Sequence, residues 1–278
     1  MIKAVITAAG RGTRLLPLTK SLPKEMLPIF STGNKNKILV PLLQHIFEEL
    51  HEQNFRDYCI VVGREQRSIK DHFTYDDLQL KGIAKNYQVI LKEFYKKIEK
   101  SNLLWINQKD PLGFGDAVRR TEKFVGNDDM ILHAGDFTVL GHNRHPISRM
   151  IDTVKNNPDL SCVLLCKKVK DTKRYGVLEI KKNTKTLFEV NGVEEKPDKP
   201  KSNYAIMPLY YFKPIIFKYL KKIKKGKGGE YQLTDAIQKL IEDGGKVLAI
   251  PLLETEEEID IGTPELYKKS LDFTYAIK

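Results

Sequence analysis

Between Ala8 and Pro28 the chain carries small and cationic residues in a spacing suited to anion binding. An apolar segment, Met1 to Ala9, runs into Gly10-Arg11-Gly12-Thr13-Arg14. Small residues after a strand let backbone N–H groups approach an anion closely. Arg14 and Lys24 add positive charge at two points along the same loop, which suits a triphosphate. Two familiar phosphate loops do not fit. A dinucleotide fingerprint needs a third glycine where Leu15 stands, and Pro17 interrupts its helix; the G-x-x-x-x-G-K-[ST] pattern is absent. A charged surface loop would leave Arg14, Lys20 and Lys24 unexplained among packed apolar residues and prolines. Further along, Asp136 ends an apolar run, and Asp260 sits between Ile259 and Ile261. Two carboxylates at strand ends can hold one Mg²⁺, although turn formation accounts for Asp260 alone equally well. Gln108 offers a donor and an acceptor that can pair with the edge of uracil or thymine. By itself it reads better as a solvated loop residue; its spacing to Gly113 and Gly115 reverses that. Glu195-Lys196-Pro197 and the glycine at 176 have bland readings too, a charged strand end and a bulge.

Elements that alternate strand and helix must carry these residues. Strands are expected at Met1–Ala9, Tyr58–Gly63, Leu103–Ile106 and Met130–Ala134. Helices are expected at Leu42–Leu50, around Gln66–Phe73, at Ala84–Lys100 with Val89, Phe94 and Ile98 on one face, and at Ala117–Phe124. The second half is richer in strands: Leu160–Val169, Gly176–Ile180, Leu187–Val193, Tyr204–Phe212, Lys246–Leu252 and a short one at Glu258–Ile261. Helices fall at Ile215–Lys222, Leu233–Glu242 and from Pro264 onward. Asn34-Lys35-Asn36-Lys37 reads as a surface loop. The pattern predicts an α/β fold, Rossmann-like, with a mixed, mostly parallel sheet flanked by helices and a strand-rich part on the C-terminal side. Such sheets bind ligands at the carboxyl ends of their strands. The opening loop, Gln108 with Gly113 to Gly115, and Asp136 all follow strands. One domain over residues 1–278 is expected, with 1–140 mainly binding nucleotide and 141–278 mainly binding the second substrate and ending in a helix.

The 278 residues, 41% hydrophobic and 30% charged, fit a globular protein without a membrane span. No charged leader with an apolar core opens the chain, so a cytoplasmic location is expected. Cys59, Cys162 and Cys166 lie in strand-like runs and read as reduced core thiols. The net charge of +11 spreads over several lysine-rich segments without interleaved aromatics, which argues against nucleic acid as the partner. The six histidines show no motif spacing.

Taken together, Ala8-Ala9-Gly10-x-Gly12-Thr13-Arg14-x-x-Pro17-x-Thr19-Lys20 and Pro23-Lys24-Glu25-Met26-Leu27-Pro28 resemble the signature of sugar-phosphate nucleotidyltransferases. Within them the chain most resembles the UTP–glucose-1-phosphate uridylyltransferases of bacterial and archaeal type. The likeness continues, in order, through Gln108 with Gly113-Phe114-Gly115, Asp136, Tyr175-Gly176-Val177, Glu194-Glu195-Lys196-Pro197, Ser202-Asn203-Tyr204-Ala205, Glu230-Tyr231-Gln232-Leu233-Thr234-Asp235 and Asp260-Ile261-Gly262. The resemblance implies transfer of a nucleotidyl group from UTP or dTTP to a sugar 1-phosphate, with release of pyrophosphate. It implies Arg14 and Lys24 as catalytic cations, and Ala8, Ala9, Gly10, Gly12, Thr13, Glu25, Gln108 and Gly113 around the nucleotide. Gly176, Glu195, Lys196, Ile206 and Glu230 would meet the sugar phosphate, and Asp136 and Asp260 would hold Mg²⁺. A homo-oligomer, dimer or tetramer, is implied as well. Non-catalytic subunits that bind nucleotide sugars share the fold, but they would be expected to lose these cations or carboxylates. Two departures stand out: His133-Ala134-Gly135 precedes Asp136 where bacterial members usually have Leu-Pro, and Asp116 replaces a frequent His with no evident role.

Overall fold

The computed structural model describes residues 1–33, 36–64, 67–76 and 81–277. The chain opens with β1 (Ile2–Ala8), the hairpin β2 (Pro28–Gly33) and β3 (Asn36–Pro41), helix α1 (Leu42–Glu52) and β4 (Asp57–Val62). Then come α2 (Arg67–His72), α3 (Lys85–Glu99), β5 (Asn102–Asn107), α4 (Phe114–Arg119), α5 (Glu122–Val125), β6 (Asp129–Ala134) and β7 (Phe137–Leu140). The second half runs α6 (Pro146–Lys155), β8 (Leu160–Lys168), β9 (Gly176–Asn183), β10 (Phe188–Glu195), β11 (Tyr204–Phe212), α7 (Ile216–Leu220), α8 (Leu233–Glu242), β12 (Lys246–Pro251), β13 (Glu257–Asp260) and α9 (Pro264–Ala276).

Nine strands form one sheet in the order β5-β4-β1-β6-β11-β8-β12-β10-β9. Alternate residues of β1 feed two cores, because successive side chains point to opposite faces. Ala4, Ile6 and Ala8 pack with Leu43, Ile46 and Phe47 of α1, whereas Val5 joins Cys59, Val61, Ala117 and Val118. All three cysteines are free and buried, as expected. Among the described residues, no helix is long and apolar enough to cross a membrane.

The expectation of a mostly parallel sheet holds only for β5-β4-β1-β6. From β6 onward the pairings are antiparallel except β8 with β12. Ala205 of β11 also pairs with Val177 of β9, closing β11-β8-β12-β10-β9 into a five-stranded ring. Short loops join the sequential pair β9 and β10, and short connections favour antiparallel neighbours.

Other differences are local. Residues 36 and 37 belong to β3, which pairs with β2; residues 34 and 35, the rest of the expected loop, and Gln66 lie outside the described residues. Val89 is exposed, while Phe94 is buried and Ile98 packs beside it. Five residues separate Val89 from Phe94, roughly 140° around a helix, so they do not share a face. The helix expected at Ala117–Phe124 starts earlier and breaks into α4 and α5. At the break, Thr121 Oγ1 donates to Val118 O at 2.8 Å, an alternative to helical pairing.

Three histidines gather around one carboxylate and tie α1 to the β7–α6 connection. The Nε2 atoms of His45, His142 and His145 lie 3.3, 3.7 and 3.8 Å from Glu49 Oε1. Thr138 Oγ1 of β7 donates to Glu49 Oε2 at 2.7 Å. Burial alone would raise the Glu49 pKa, but the surrounding imidazoles, His45 first, bring it well below its ordinary value. Burial opposes charge on His45, and Glu49 outweighs that and raises its pKa; Glu49 raises His142 as well. A depressed Glu stabilises the fold above its unfolded pKa of about 4.3 and loses this as pH falls through its lower folded value. Raised histidines stabilise below their unfolded value of about 6.5 and lose this as pH rises through the folded one. Glu49→Gln is therefore expected to cost about 3 kcal/mol near pH 6 and clearly less at pH 9. Thermal denaturation at the two pH values tests this; an equal or larger penalty at pH 9 would rule out the ion pairing.

Candidate active site

Of the expected site residues, those of the opening loop, Gln108 and Asp136 follow parallel strands, whereas Gly176, Glu195 and Ile206 lie on β9, β10 and β11 of the antiparallel part. Gln108 N donates to Val62 O and Gly135 N to Thr7 O, each at 2.8 Å, so both residues extend strand ladders by one step. After β1 the chain folds into three short 3₁₀ turns, Thr13–Leu15, Leu18–Lys20 and Lys24–Met26. Gly12 permits this with φ +60°, and Thr19 Oγ1 donates to its carbonyl at 2.7 Å. A Cβ at Gly12 would stand 2.9 Å from Thr19 Cγ2. Buried Leu15 and Leu27 anchor the loop, leaving Arg14 exposed and Lys24 on the cavity wall.

Opposite charges meet at the centre. The Lys24 ammonium binds Asp136 Oδ2 directly. Burial would lower the Lys24 pKa, but Asp136 and Glu25 raise it; burial would raise that of Asp136, but Lys24 holds it down. Asp260 arrives by the β7–β13 ladder, in which it pairs with Phe137, and Ile261 N donates to Asp136 O at 3.2 Å. Gly262 N donates to Asp260 Oδ1 at 2.7 Å. Burial and the neighbouring Asp136 push the Asp260 pKa up to about 6. Two oxygen-donor carboxylates with a charge excess of this kind fit a hard divalent cation such as Mg²⁺. Glu25, 1% exposed, has its pKa raised to about 7, chiefly by burial, and its Oε2 has no hydrogen-bond partner among the described residues. Gly135 explains itself here: a Cβ would stand 3.1 Å from both Glu25 Cγ and Thr7 O. His133 beside it is buried, and burial lowers its pKa to about 4, so it is neutral.

On one side of this centre lies Gln108. The loop beside it is zipped to residues 230–232, with Tyr231 N donating to Leu112 O and Gly115 N to Tyr231 O, both at 2.8 Å. Gly113 has φ +109°, and a Cβ there would be 2.7 Å from Glu230 Cβ. Glu230 thus packs beside Gly113, three residues ahead of α8. On the other side Thr234 Oγ1 donates to Glu195 Oε2 at 2.7 Å, and Gly176 faces Thr234, Ile206 and Glu195.

One cavity of ≈ 680 Å³ joins the two sides. Its wall includes Ala9, Gly10, Gly12, Thr13, Arg14, Lys24, Glu25, Gln108, Gly113, Asp136, Gly176, Glu195, Ile206, Glu230 and Asp260. Two expected residues are set back from the wall. Ala8 is fully buried within β1, and the Lys196 ammonium is drawn to Glu195 Oε1 at 3.2 Å. Lys196 also has φ +45°, held by its N–H to Tyr175 O at 2.9 Å. Arg174 and Thr234, not expected as site residues, line the cavity; Arg174 directly precedes the Tyr175-Gly176-Val177 motif and Thr234 lies within Glu230–Asp235, which was the available signal. Asp116 has a position too: fully buried, it accepts from Gln108 Nε2 at 2.9 Å. Glu49, His142 and His145 also bring ligand atoms within 4.8 Å of one another. There, however, His145 Nδ1 accepts from Ile147 N at 3.1 Å, so the ring proton lies on the Nε2 that faces Glu49, and that nitrogen offers no lone pair to a metal.

The family model described as nucleotidyl transferase matches residues 3–274. The chain belongs to the nucleotidyl transferase family. A UTP–glucose-1-phosphate uridylyltransferase of Bacillus subtilis (strain 168) is 37% identical over 245 residues, covering 86% of this chain and 80% of the relative. One from Staphylococcus saprophyticus is 35% identical, covering 86% and 81%. A crystal structure of UDP-glucose pyrophosphorylase complexed with UDP-glucose superposes with TM-score 0.85 at 29% identity, covering 99% of each chain. A UTP-bound UGPase from Acinetobacter baumannii gives 0.82 at 25%, covering 98% and 93%.

In this nucleotidyl transferase, Gly113→Ala combines a disfavoured φ with a clash against residues 230–231. It is expected to cost about 1–2 kcal/mol of stability and to raise KM for the nucleotide. Thermal denaturation and steady-state kinetics test both; an unchanged KM would remove this loop from the nucleotide side.

Proposed function

We propose that the protein transfers a uridylyl group from UTP to glucose 1-phosphate, giving UDP-glucose and pyrophosphate. The observation that carries this reading is that one cavity is lined by Gln108, Glu195, Arg14, Lys24, Asp136 and Asp260 together. The names of relatives at 35–37% identity support UTP and glucose 1-phosphate as the substrate pair.

In the proposed reaction a phosphate oxygen of the sugar attacks the α-phosphorus. A new P–O bond forms as the bond to the β-phosphate oxygen breaks in line, and pyrophosphate leaves. The attacking oxygen is already anionic, so no general base is required. Catalysis then rests on alignment and charge neutralisation. Arg14, on the turn beside Gly262, is assigned to the β- and γ-phosphates. Lys24, steadied by Asp136, is assigned to the α-phosphate or the incoming sugar phosphate. Gly10, whose Cβ position lies 3.0 Å from Lys24 Nζ, leaves room for that ammonium. Glu195, oriented by Thr234, is assigned to sugar hydroxyls, with Lys196 and Arg174 flanking that end. Asp136 and Asp260 would hold Mg²⁺, which when bound supplies charge neutralisation to the phosphate oxygens. Homo-oligomeric assembly is part of the proposal and is testable by sedimentation.

Arg14 is exposed, so Arg14→Ala is expected to keep its melting temperature yet lose about 10²–10³ in kcat. Pyrophosphate release from UTP and glucose 1-phosphate measures this. Chelation of divalent cations is expected to abolish release, and added Mg²⁺ to restore it. Near-normal turnover in Arg14→Ala would reject the assigned role, and no release from any nucleotide and sugar phosphate pair would reject the enzyme reading.

A further inference from the structure

We propose that Asp116 sets the pyrimidine specificity of the site by locking the Gln108 side chain so that only its carbonyl oxygen is offered to the base. This rests on the uridylyl-transfer reading above. Gln108 Nε2 donates to Gly113 O at 3.1 Å and to Asp116 Oδ2 at 2.9 Å. A backbone carbonyl and an ionised carboxylate are both acceptors only, so the atom between them must be the NH₂ group. Both of its hydrogens are then committed, and the amide cannot turn over without setting an oxygen against two oxygens. The rest of the residue is fixed as well: Gln108 is 4% exposed and its backbone N–H is held by Val62 O.

Asp116 is itself anchored. Arg119 Nη2 donates to Oδ1 at 2.7 Å and Arg120 Nε to Oδ2 at 2.8 Å, both from one turn further along the chain. Burial disfavours its charge, but the bonds from Gln108, Arg120 and Arg119 outweigh this and lower its pKa. The carboxylate is therefore a permanent acceptor at neutral pH.

What remains for a ligand is Gln108 Oε1, which accepts from no described residue, on the wall of the cavity. An acceptor matches the N3–H of uracil or thymine. Cytosine carries a lone pair at N3 and would face oxygen with nitrogen. A free glutamine could rotate to suit either base; Asp116 removes that freedom. The constraint accepts UTP and dTTP alike and acts against CTP.

The test compares UTP and CTP in wild type and Asp116→Ala, by pyrophosphate release with glucose 1-phosphate and by calorimetric binding without it. The expected result is a UTP-to-CTP preference in kcat/KM that falls by about tenfold or more in the variant, mainly through KM for UTP. A purely structural Asp116 would lower both nucleotides together and leave the ratio unchanged, which would overturn the proposal. A second arm uses wild type alone, so it does not depend on the variant folding. N3-methyl-UTP, which lacks the donor, is expected to bind at least about tenfold more weakly than UTP; equal binding would overturn the proposal. If wild type binds UTP over CTP, Asp116→Ala loses the preference and no substrate pair releases pyrophosphate, the uridylyl-transfer reading fails while this one stands.

Discussion

Asp136 and Asp260 are held side by side by the four-residue β7–β13 ladder, against their mutual repulsion. Much of the site follows from that constraint. One ammonium, Lys24, sits on Asp136 and leaves Asp260 with a raised pKa. Lys24 can reach Asp136 only because the long loop after β1 turns back through three 3₁₀ segments, which in turn depends on Gly12. Glu25, next in the chain, inherits a dry environment near the same charges and holds its proton more tightly than an ordinary carboxyl. The centre is thus poised between a paired and an unpaired carboxylate, a state that a cationic or polyanionic partner changes directly.

Much of this was legible in the sequence. The strands that end at the site, β1, β4, β5 and β6, are short apolar runs with few alternatives, and α8 falls on the expected residues 233–242. The cavity residues were legible because long spaced motifs carry more information than any of their parts. What stayed hidden depended on partners far along the chain. The β7–β13 ladder and the α1 to β7–α6 staple at Glu49 join segments about a hundred or more residues apart, and histidine spacing does not report convergence in space. Helix α6 was also missed, though its N-cap, His145 before Pro146, carries a recognisable local signal.

Asp116 illustrates the same limit at a single residue. Its sequence context suggested only a departure from a frequent histidine. Its meaning depends on the donor count of Gln108, which in turn depends on where Gly113 O lies. Gln108 looked able to donate and accept; in the folded chain its donors are already engaged. Lys196 and Arg174 show the converse: Lys196 belongs to a motif but is set back from the cavity wall, and Arg174, outside the motifs, lines it.

Strand β11 belongs both to the parallel side of the sheet, through β6, and to the closed ring, through β8 and β9. Ile206, Pro208 and Tyr210, all on β11, line the cavity, and the ladder to β8 skips between Met207 and Tyr210. One strand therefore supplies cavity wall from both sides of its register shift, and the proline between them has no N–H to give either ladder.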